Sequence, residues 1–197
     1  MHATLSRRSL LGAAAAACAA AGTQSVFAKP AVVPSIWDGK KMYETIEKDG
    51  TYFTYPGPAG RKVVHIFIDT QCPDCEHLFT RIQPLFDRIE ARFYPISFLN
   101  IHSEPQGTTI LMSKEPWKVF DQHHEHFRDA DFRGLRYGKV EALPVELRNK
   151  VWMNTKLHRR CGCRAVPYGV YKNSKGEFVP FDENLTTKEL SALFELK

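Results

Sequence analysis

Residues 63–86 read VVHIFIDTQCPDCEHLFTRIQPLF. The apolar run at residues 63–68 has the length and content of a short buried strand. It stops at Asp69-Thr70-Gln71 and delivers Cys72-Pro73-Asp74-Cys75 to the head of an amphipathic helix. Two cysteines at C-x-x-C spacing on a strand-to-helix junction make a site for thiol–disulfide chemistry.

Disulfides exchange only by attack of a thiolate, so one cysteine must be accessible and acidified. Cys72 falls at the helix N-terminus, where unpaired backbone N–H groups and the helix dipole favour a negative sulfur. Pro73 suits the first turn, because its missing N–H costs nothing there. Cys75 lies one turn deeper. Cys72 is therefore the expected nucleophile, and Cys75 the residue that closes the disulfide or releases a mixed intermediate. Asp74 opposes the thiolate, by ~1 kcal/mol or less in an exposed turn. The pair is expected to be less oxidising than a C-P-H-C motif. A structural disulfide and half of a zinc site are the competing readings. A zinc site would need a second ligand pair, and Cys161-Gly162-Cys163 lacks the two-residue gap.

Around this stretch the pattern is β-α-β, a helical insertion, then β-β-α. Residues 38–49 carry Met42, Tyr43 and Ile46 at helical spacing, and residues 51–55 alternate like a strand. The helix from Cys72 extends to about Ile89, kinked or shortened at Pro84. Residues 93–101 (FYPISFLNI) read as a second strand with both faces buried, in a βαβ unit. The insertion spans residues 102–160. It holds a helix capped by Ser113 through Trp117, Phe120 and Phe127. A second helix starts at Pro144, with Val145, Leu147, Val151 and Trp152 on its apolar side, and stops at Gly162. Trp117, Phe120, Phe127 and Trp152 are expected to pack between the insertion helices. Residues 168–171 and 177–181 form a hairpin, and Thr186-Thr187-Lys188-Glu189 offers a capping box for a terminal helix.

Residues 1–28 carry Arg7 and Arg8, an apolar run at residues 10–21, and Val26-Phe27-Ala28 as a cleavage site. That is an export signal, with Ser6-Arg7-Arg8-Ser9-Leu10-Leu11 resembling a twin-arginine address and a general secretory signal as the alternative. Residues 29–61 are a short leader, and residues 62–197 the catalytic domain. No later run is long enough to insert stably in a membrane. The formal charge of +5 is not gathered into a Lys/Arg tract, so nucleic acid is not an expected partner. Cys72, Cys75, Cys161 and Cys163 follow the signal, and close cysteine pairs in an exported chain favour disulfides.

With Phe67-Ile68-Asp69-Thr70-Gln71-Cys72-Pro73-Asp74-Cys75, Pro84, Ser113-Lys114-Glu115-Pro116, Asn154-Thr155-Lys156-Leu157 and Val166-Pro167 in view, a likeness emerges. The chain resembles thioredoxin-fold thiol–disulfide proteins, and among them the catalytic domain of the periplasmic DsbC/DsbG family, on the DsbG side. The resemblance covers Val63 to the C-terminus. It implies an α/β thioredoxin-like fold with a central mixed sheet and a periplasmic thiol:disulfide oxidoreductase. It also implies a cis-proline at Pro167 facing the cysteines, with Val166 free to pair with an extended substrate segment. Asp69 matches an acidic position in these relatives, where it caps the helix, assists proton transfer or simply makes an Asx turn. No organic cofactor is implied, since the disulfide carries the electrons. The expected partners are substrate proteins and a redox partner that resets the pair.

Two features depart from the family. Only residues 31–61 precede the catalytic domain here, so the family's dimerisation module and its V-shaped dimer are not expected. The second departure is Cys161-Gly162-Cys163, a short pair near Pro167. It reads as an auxiliary redox couple, a local staple, or a metal trap with His158. A non-catalytic metal-binding or assembly protein using Cys161, Cys163 and His158 is the competing function. His123 and His126 share a helical face, where simple solvation is expected and a metal site is the alternative. No residue is assigned as a metal ligand.

Overall fold

In a computed structural model that describes residues 38–196, the apolar run builds β1 (Lys62–Ile68) at the centre of a four-stranded sheet. The strand order is β2-β1-β3-β4, with β2 at Ile89–Pro95, β3 at Tyr168–Lys172 and β4 at Phe178–Phe181. β1 runs parallel to β2, in a register of Lys62 with Ile89 through Ile68 with Pro95. It runs antiparallel to β3, which in turn pairs antiparallel with β4. The sheet is mixed, as expected. The export-signal reading falls on residues 1–28, outside the described residues.

Because successive side chains of a strand alternate faces, β1 splits its neighbours. His65 meets Tyr43 of α1 (Gly39–Asp49), and Phe67 meets His158 of α5 (Val145–Arg160). Val64, Ile66 and Ile68 turn to the opposite layer. There Phe79 of α2 (Pro73–Ile82) packs on Phe93 and on Phe120 of α4 (Pro116–Glu125), and Phe194 packs on Phe181 just past α6 (Thr187–Leu193). Met42, Ile46, Phe53 and Tyr55 join the same core, so residues 38–61 pack as part of the domain. Residues 51–55 supply a single bridge, Phe53 to Phe93, in place of a strand. Buried Asn154 exchanges two hydrogen bonds with the Thr51 backbone and donates a third to the Pro95 carbonyl, tying that segment to β2.

Four expectations change. The second strand lies at Ile89–Pro95 instead of 93–101, because past Ile96 the backbone leaves the sheet and two of its amides turn to Asp69. Phe98, Leu99 and Ile101 are consequently exposed. A helix unforeseen in the sequence, α3 (Ser103–Met112), packs against α4, α5 and β2. Its first turns are polar yet buried, through Glu104, Gln106 and Thr108, which hid its apolar period. Ser113 accepts the Glu115 N–H beyond α3, while Glu115 takes the cap position of α4. Finally, α5 buries Val151, Asn154, Thr155, Leu157 and His158, whereas Val145 and Trp152 face solvent. Phe120 and Phe127 are buried, but Phe120 packs into the main core on Phe53, Phe79 and Phe93 instead of between the insertion helices, and Trp152 is exposed.

Local signals fared better. α2 gives way to a 3-10 turn at Gln83–Leu85, where Pro84 has no N–H to extend the helix. α5 ends in Gly162 at φ 80°, with the Cys163 N–H on the His158 carbonyl and the Gly162 N–H on the Arg159 carbonyl. This is a Schellman ending, which needs the left-handed conformation glycine adopts freely. Thr186 and Glu189 make the capping box of α6 reciprocally.

Candidate active site

Cys72 is the N-cap of α2 and has extended backbone geometry. Its N–H bonds the Asp69 carbonyl at 3.0 Å, which closes the turn from β1 into the helix. Cys75 lies 3.6 Å from Cys72, and both are free thiols. The Cys72 sulfur also sits 3.3 Å from the Val166 carbonyl, just before the cis Val166–Pro167 bond that leads into β3. The strand-to-helix turn and the start of β3 therefore meet at one sulfur. Sequence spacing placed both segments but not their contact.

The two thiols differ sharply in acidity. The Cys75 S–H donates to Cys72 and lowers its pKa; burial pulls the other way, and the backbone N–H groups of Cys75 and Asp74 lower it further. The Asp74 charge opposes the thiolate weakly. Cys75 is pushed well above an ordinary thiol, first by burial and then by its bond to Cys72. Exposure does not separate them, since Cys72 and Cys75 are only 4% and 6% exposed. Cys72 is thus more covered than an accessible nucleophile was expected to be. Its distinction is the Cys75 S–H, together with the helix-end N–H groups, aimed at its sulfur.

Asp69 is a buried hub. One carboxylate oxygen accepts the Gln71 N–H at 2.8 Å and the Ser103 hydroxyl at 2.7 Å. The other accepts the Phe98 and Leu99 N–H groups at 2.7 and 2.9 Å. The bond to Gln71 is the Asx turn; the helix cap is Cys72. Each oxygen holds two donors, so the charge is fully bonded though almost wholly out of water.

The sequence reading missed a polar lattice behind the cysteines. Gln71 donates to Gln106 at 2.7 Å and accepts from Asn100 at 3.2 Å. The Arg133 guanidinium donates to the Gln71 carbonyl at 2.9 Å, and Gln106 donates to the Arg133 and Leu135 carbonyls. These bonds pin the turn before Cys72 to the insertion. Glutamines and asparagines in polar stretches look like surface, and nothing in the local pattern marks them as buried.

His123 also departs from the solvated reading, and its neighbour His124 is shielded as well. His123 is 1% exposed and accepts the Leu135 N–H at 3.1 Å. His124 lies flat on Phe79, ring centroids 3.7 Å apart at 3°. Only His126 is solvated, beside Asp129. Cys161 and Cys163 remain thiols at the end of α5, with burial pushing Cys161 up to about 11 and Cys163 higher still. His158, the imagined third ligand, donates Nε2 to the Ala165 carbonyl at 2.9 Å. Among the described residues no group of three His, Cys, Asp or Glu could hold a metal ion.

With this geometry in view, the comparisons with known proteins agree on the architecture. No family model matches the chain. A periplasmic thioredoxin-like protein from Salmonella enterica serovar Typhimurium superposes with a TM-score of 0.61 at 14% identity, covering 84% of this chain and 97% of that one. The catalytic domain of Proteus mirabilis ScsC gives 0.59 at 17% identity, covering 79% and 94%. The fold is thioredoxin-like. In sequence, the chain is similar to the thiol:disulfide interchange protein DsbG of Pseudomonas aeruginosa, with 24% identity over 139 residues, 70% of this chain. It spans about half, 52%, of that relative's length. Within this thioredoxin-like frame, Cys72 caps the first long helix after the central strand and Cys75 lies in that helix's first turn.

Proposed function

We propose that this chain is a thiol:disulfide interchange protein working through Cys72 and Cys75. One observation carries the reading: two thiols 3.6 Å apart at a helix N-terminus, with one acidified and the other held protonated. In the reducing direction, the Cys72 thiolate attacks a substrate disulfide, forms a mixed disulfide and releases one substrate thiolate. Cys75 then attacks the Cys72 sulfur, closes the Cys72–Cys75 disulfide and releases the second. Two electrons pass to the substrate, and a redox partner returns them. Run backwards, the same steps oxidise or rearrange cysteines.

The Val166 carbonyl beside Cys72 supports strand-like pairing of an extended substrate segment at Val166 and Pro167. The exposed Phe98, Leu99 and Ile101 on the loop held by Asp69 suit a polypeptide substrate. Pro73, Asp74 and Asp69 support the pair by starting the helix, tuning the thiolate and fixing the turn. In this reading residues 1–28 are the export signal, cleaved near Ala28, the domain takes in residues 38–61 as well as the catalytic segment from residue 62, and the protein acts in the periplasm. The Salmonella neighbour's description as periplasmic supports the location, and the similarity to the interchange protein DsbG supports the activity.

The test is the equilibrium reduction potential of the pair against glutathione, with Cys72→Ser and Cys75→Ser alongside. A potential near about −270 mV marks a reductase and one near about −120 mV an oxidase. Cys72→Ser abolishes exchange, whereas Cys75→Ser accumulates the mixed disulfide. Exchange that survives Cys72→Ser would sink the proposal.

A further inference from the structure

Resolution of the mixed disulfide requires Cys75 to lose a proton, although its thiol is buried and strongly resists ionisation. The obvious acceptor, Asp69, already holds four donors on its two oxygens. The Asp69 N–H itself points at the Cys75 sulfur, at 3.4 Å. Glu76 is turned towards Arg128 of the insertion, at 3.7 Å. His123 is already engaged, since its Nδ1 takes the Leu135 N–H at 3.1 Å. The approach of that loop depends on Gly134, at φ 73°, where a Cβ would fall 2.2 Å from the His123 ring.

Among the groups around the cavity beside the cysteines, His124 is the one that is shielded and has no hydrogen-bond partner at all in the described residues. Both ring nitrogens of His124 are shielded from solvent and have no protein hydrogen-bond partner. The stack on Phe79 and the edge contact with Phe120 hold the ring plane in place. Between His124 and the cysteines lies a cavity of about 10 Å³, bounded by Cys72, Cys75, Asp69, Thr70, Glu76, Phe120, His123 and Phe127. That is room for about one water, and a water needs polar neighbours of the kind this wall supplies.

We propose that His124, through a single water in this cavity, accepts the Cys75 proton as the mixed disulfide is resolved. The inference rests on the thiol-exchange reading above. In the step, the Cys75 S–H bond breaks as its proton passes to the water, and the water's proton passes to the open nitrogen of His124. The Cys75 sulfur bonds to the Cys72 sulfur, the bond from Cys72 to the substrate sulfur breaks, and the substrate leaves as thiolate with the electron pair. His124 then returns its proton to solvent. Burial and the neighbouring His123 hold His124 down to about 3, so at rest it is neutral with an open lone pair and holds the proton only transiently, while the bond from Cys75 to Cys72 forms. His124 acts here through water and another side chain; it is a positioning and proton-accepting residue.

The test uses the reduced full chain with less than one equivalent of dithiobis(nitrobenzoate), which reports both half-steps. Attack by Cys72, the most acidic thiol, releases a first nitrothiolate, and closure by Cys75 releases a second. His124→Phe keeps the stack on Phe79, and His124→Gln keeps polarity; thermal unfolding shows which variants are folded. The expected result is an unchanged first release and a second slowed about a hundredfold, the low end for a lost proton acceptor. A solvent-deuterium effect on the second release in the parent should vanish in the variants. A merely structural role would slow both releases together and overturn the proposal, as would a second release at the parental rate. Failure of the thiol-exchange reading looks different: the parent gives no second release, or Cys72→Ser still gives the first.

Discussion

At Cys72 the sulfur is pulled one way by the Cys75 thiol and backbone N–H groups and the other way by burial and the charge of Asp74. Asp74 is exposed and faces His77 at 3.8 Å, so its repulsion is screened and removable. Asp74→Asn should therefore lower the Cys72 pKa, read from thiolate absorbance against pH; an unchanged or higher value contradicts the charge argument. In the parent, the rate of Cys72 modification should climb with pH through a value below that of an ordinary thiol and then level off, because only the thiolate reacts. Asp69 is the opposite kind of carboxylate, buried and saturated. Asp69→Ala leaves the Gln71, Phe98 and Leu99 amides and the Ser103 hydroxyl without their acceptor. At about 1–3 kcal/mol for each unsatisfied buried group, less whatever water repairs, a loss of about 3–5 kcal/mol is expected in denaturant unfolding. A loss under about 1 kcal/mol would mean that the loop at Phe98 and Leu99 rearranges freely.

Among the elements, α6 shows how a purely local signal earns its place. Thr186 accepts the Glu189 N–H, and Glu189 reaches back to the Thr186 N–H at 2.8 Å. Thr186→Ala should cost about 1 kcal/mol, with Cys72 reactivity unchanged, since α6 touches the sheet and α2 far from the cysteines. Equal loss of reactivity would tie this helix to the site. α3 is the contrary case. Its buried Glu104 is satisfied by Arg148 of α5 at 2.9 and 3.0 Å and by Thr108. Those partners lie far along the chain or within a polar turn, so no apolar stripe announced the helix. The apolar run at residues 93–101 misled for a related reason. Composition marked it as strand throughout, but the register with β1 ends at Pro95, and the remainder serves as a loop clamped by Asp69.

For the whole molecule, acid is the weak side. His65, His123 and His124 are buried and held neutral, with pKa values lowered by burial to about 3, about 4 and about 3. In the unfolded chain each would titrate near 6.5. The unfolded state therefore binds more protons than the folded state below about pH 6.5. Stability is full above that pH and falls as the pH drops toward about 3–4. Melting temperatures measured from pH 7.5 to 4 should decline in this window, and a flat profile would show that the imidazoles reach water in the folded state. This behaviour belongs to no single element, because the three rings sit in both layers around the sheet.

The sequence by itself determined whatever depends on near neighbours. The strand before Asp69, the start of α2 at Cys72-Pro73, the stop at Gly162, the hairpin and the Thr186 cap follow from periodicity, turn chemistry and spacing within a few residues. They were enough to reveal the thioredoxin-like order and the reactive pair. Only the tertiary structure decided where β2 ends, that α3 exists, that Asp69 is a hub, and that His124 borders the same cavity as the cysteines. Those features turn on which polar groups find partners 29 or more residues away, as Asp69 does with Phe98, Leu99 and Ser103. Burying a polar group is tolerable only when such a partner arrives, and a local pattern carries no record of that arrival.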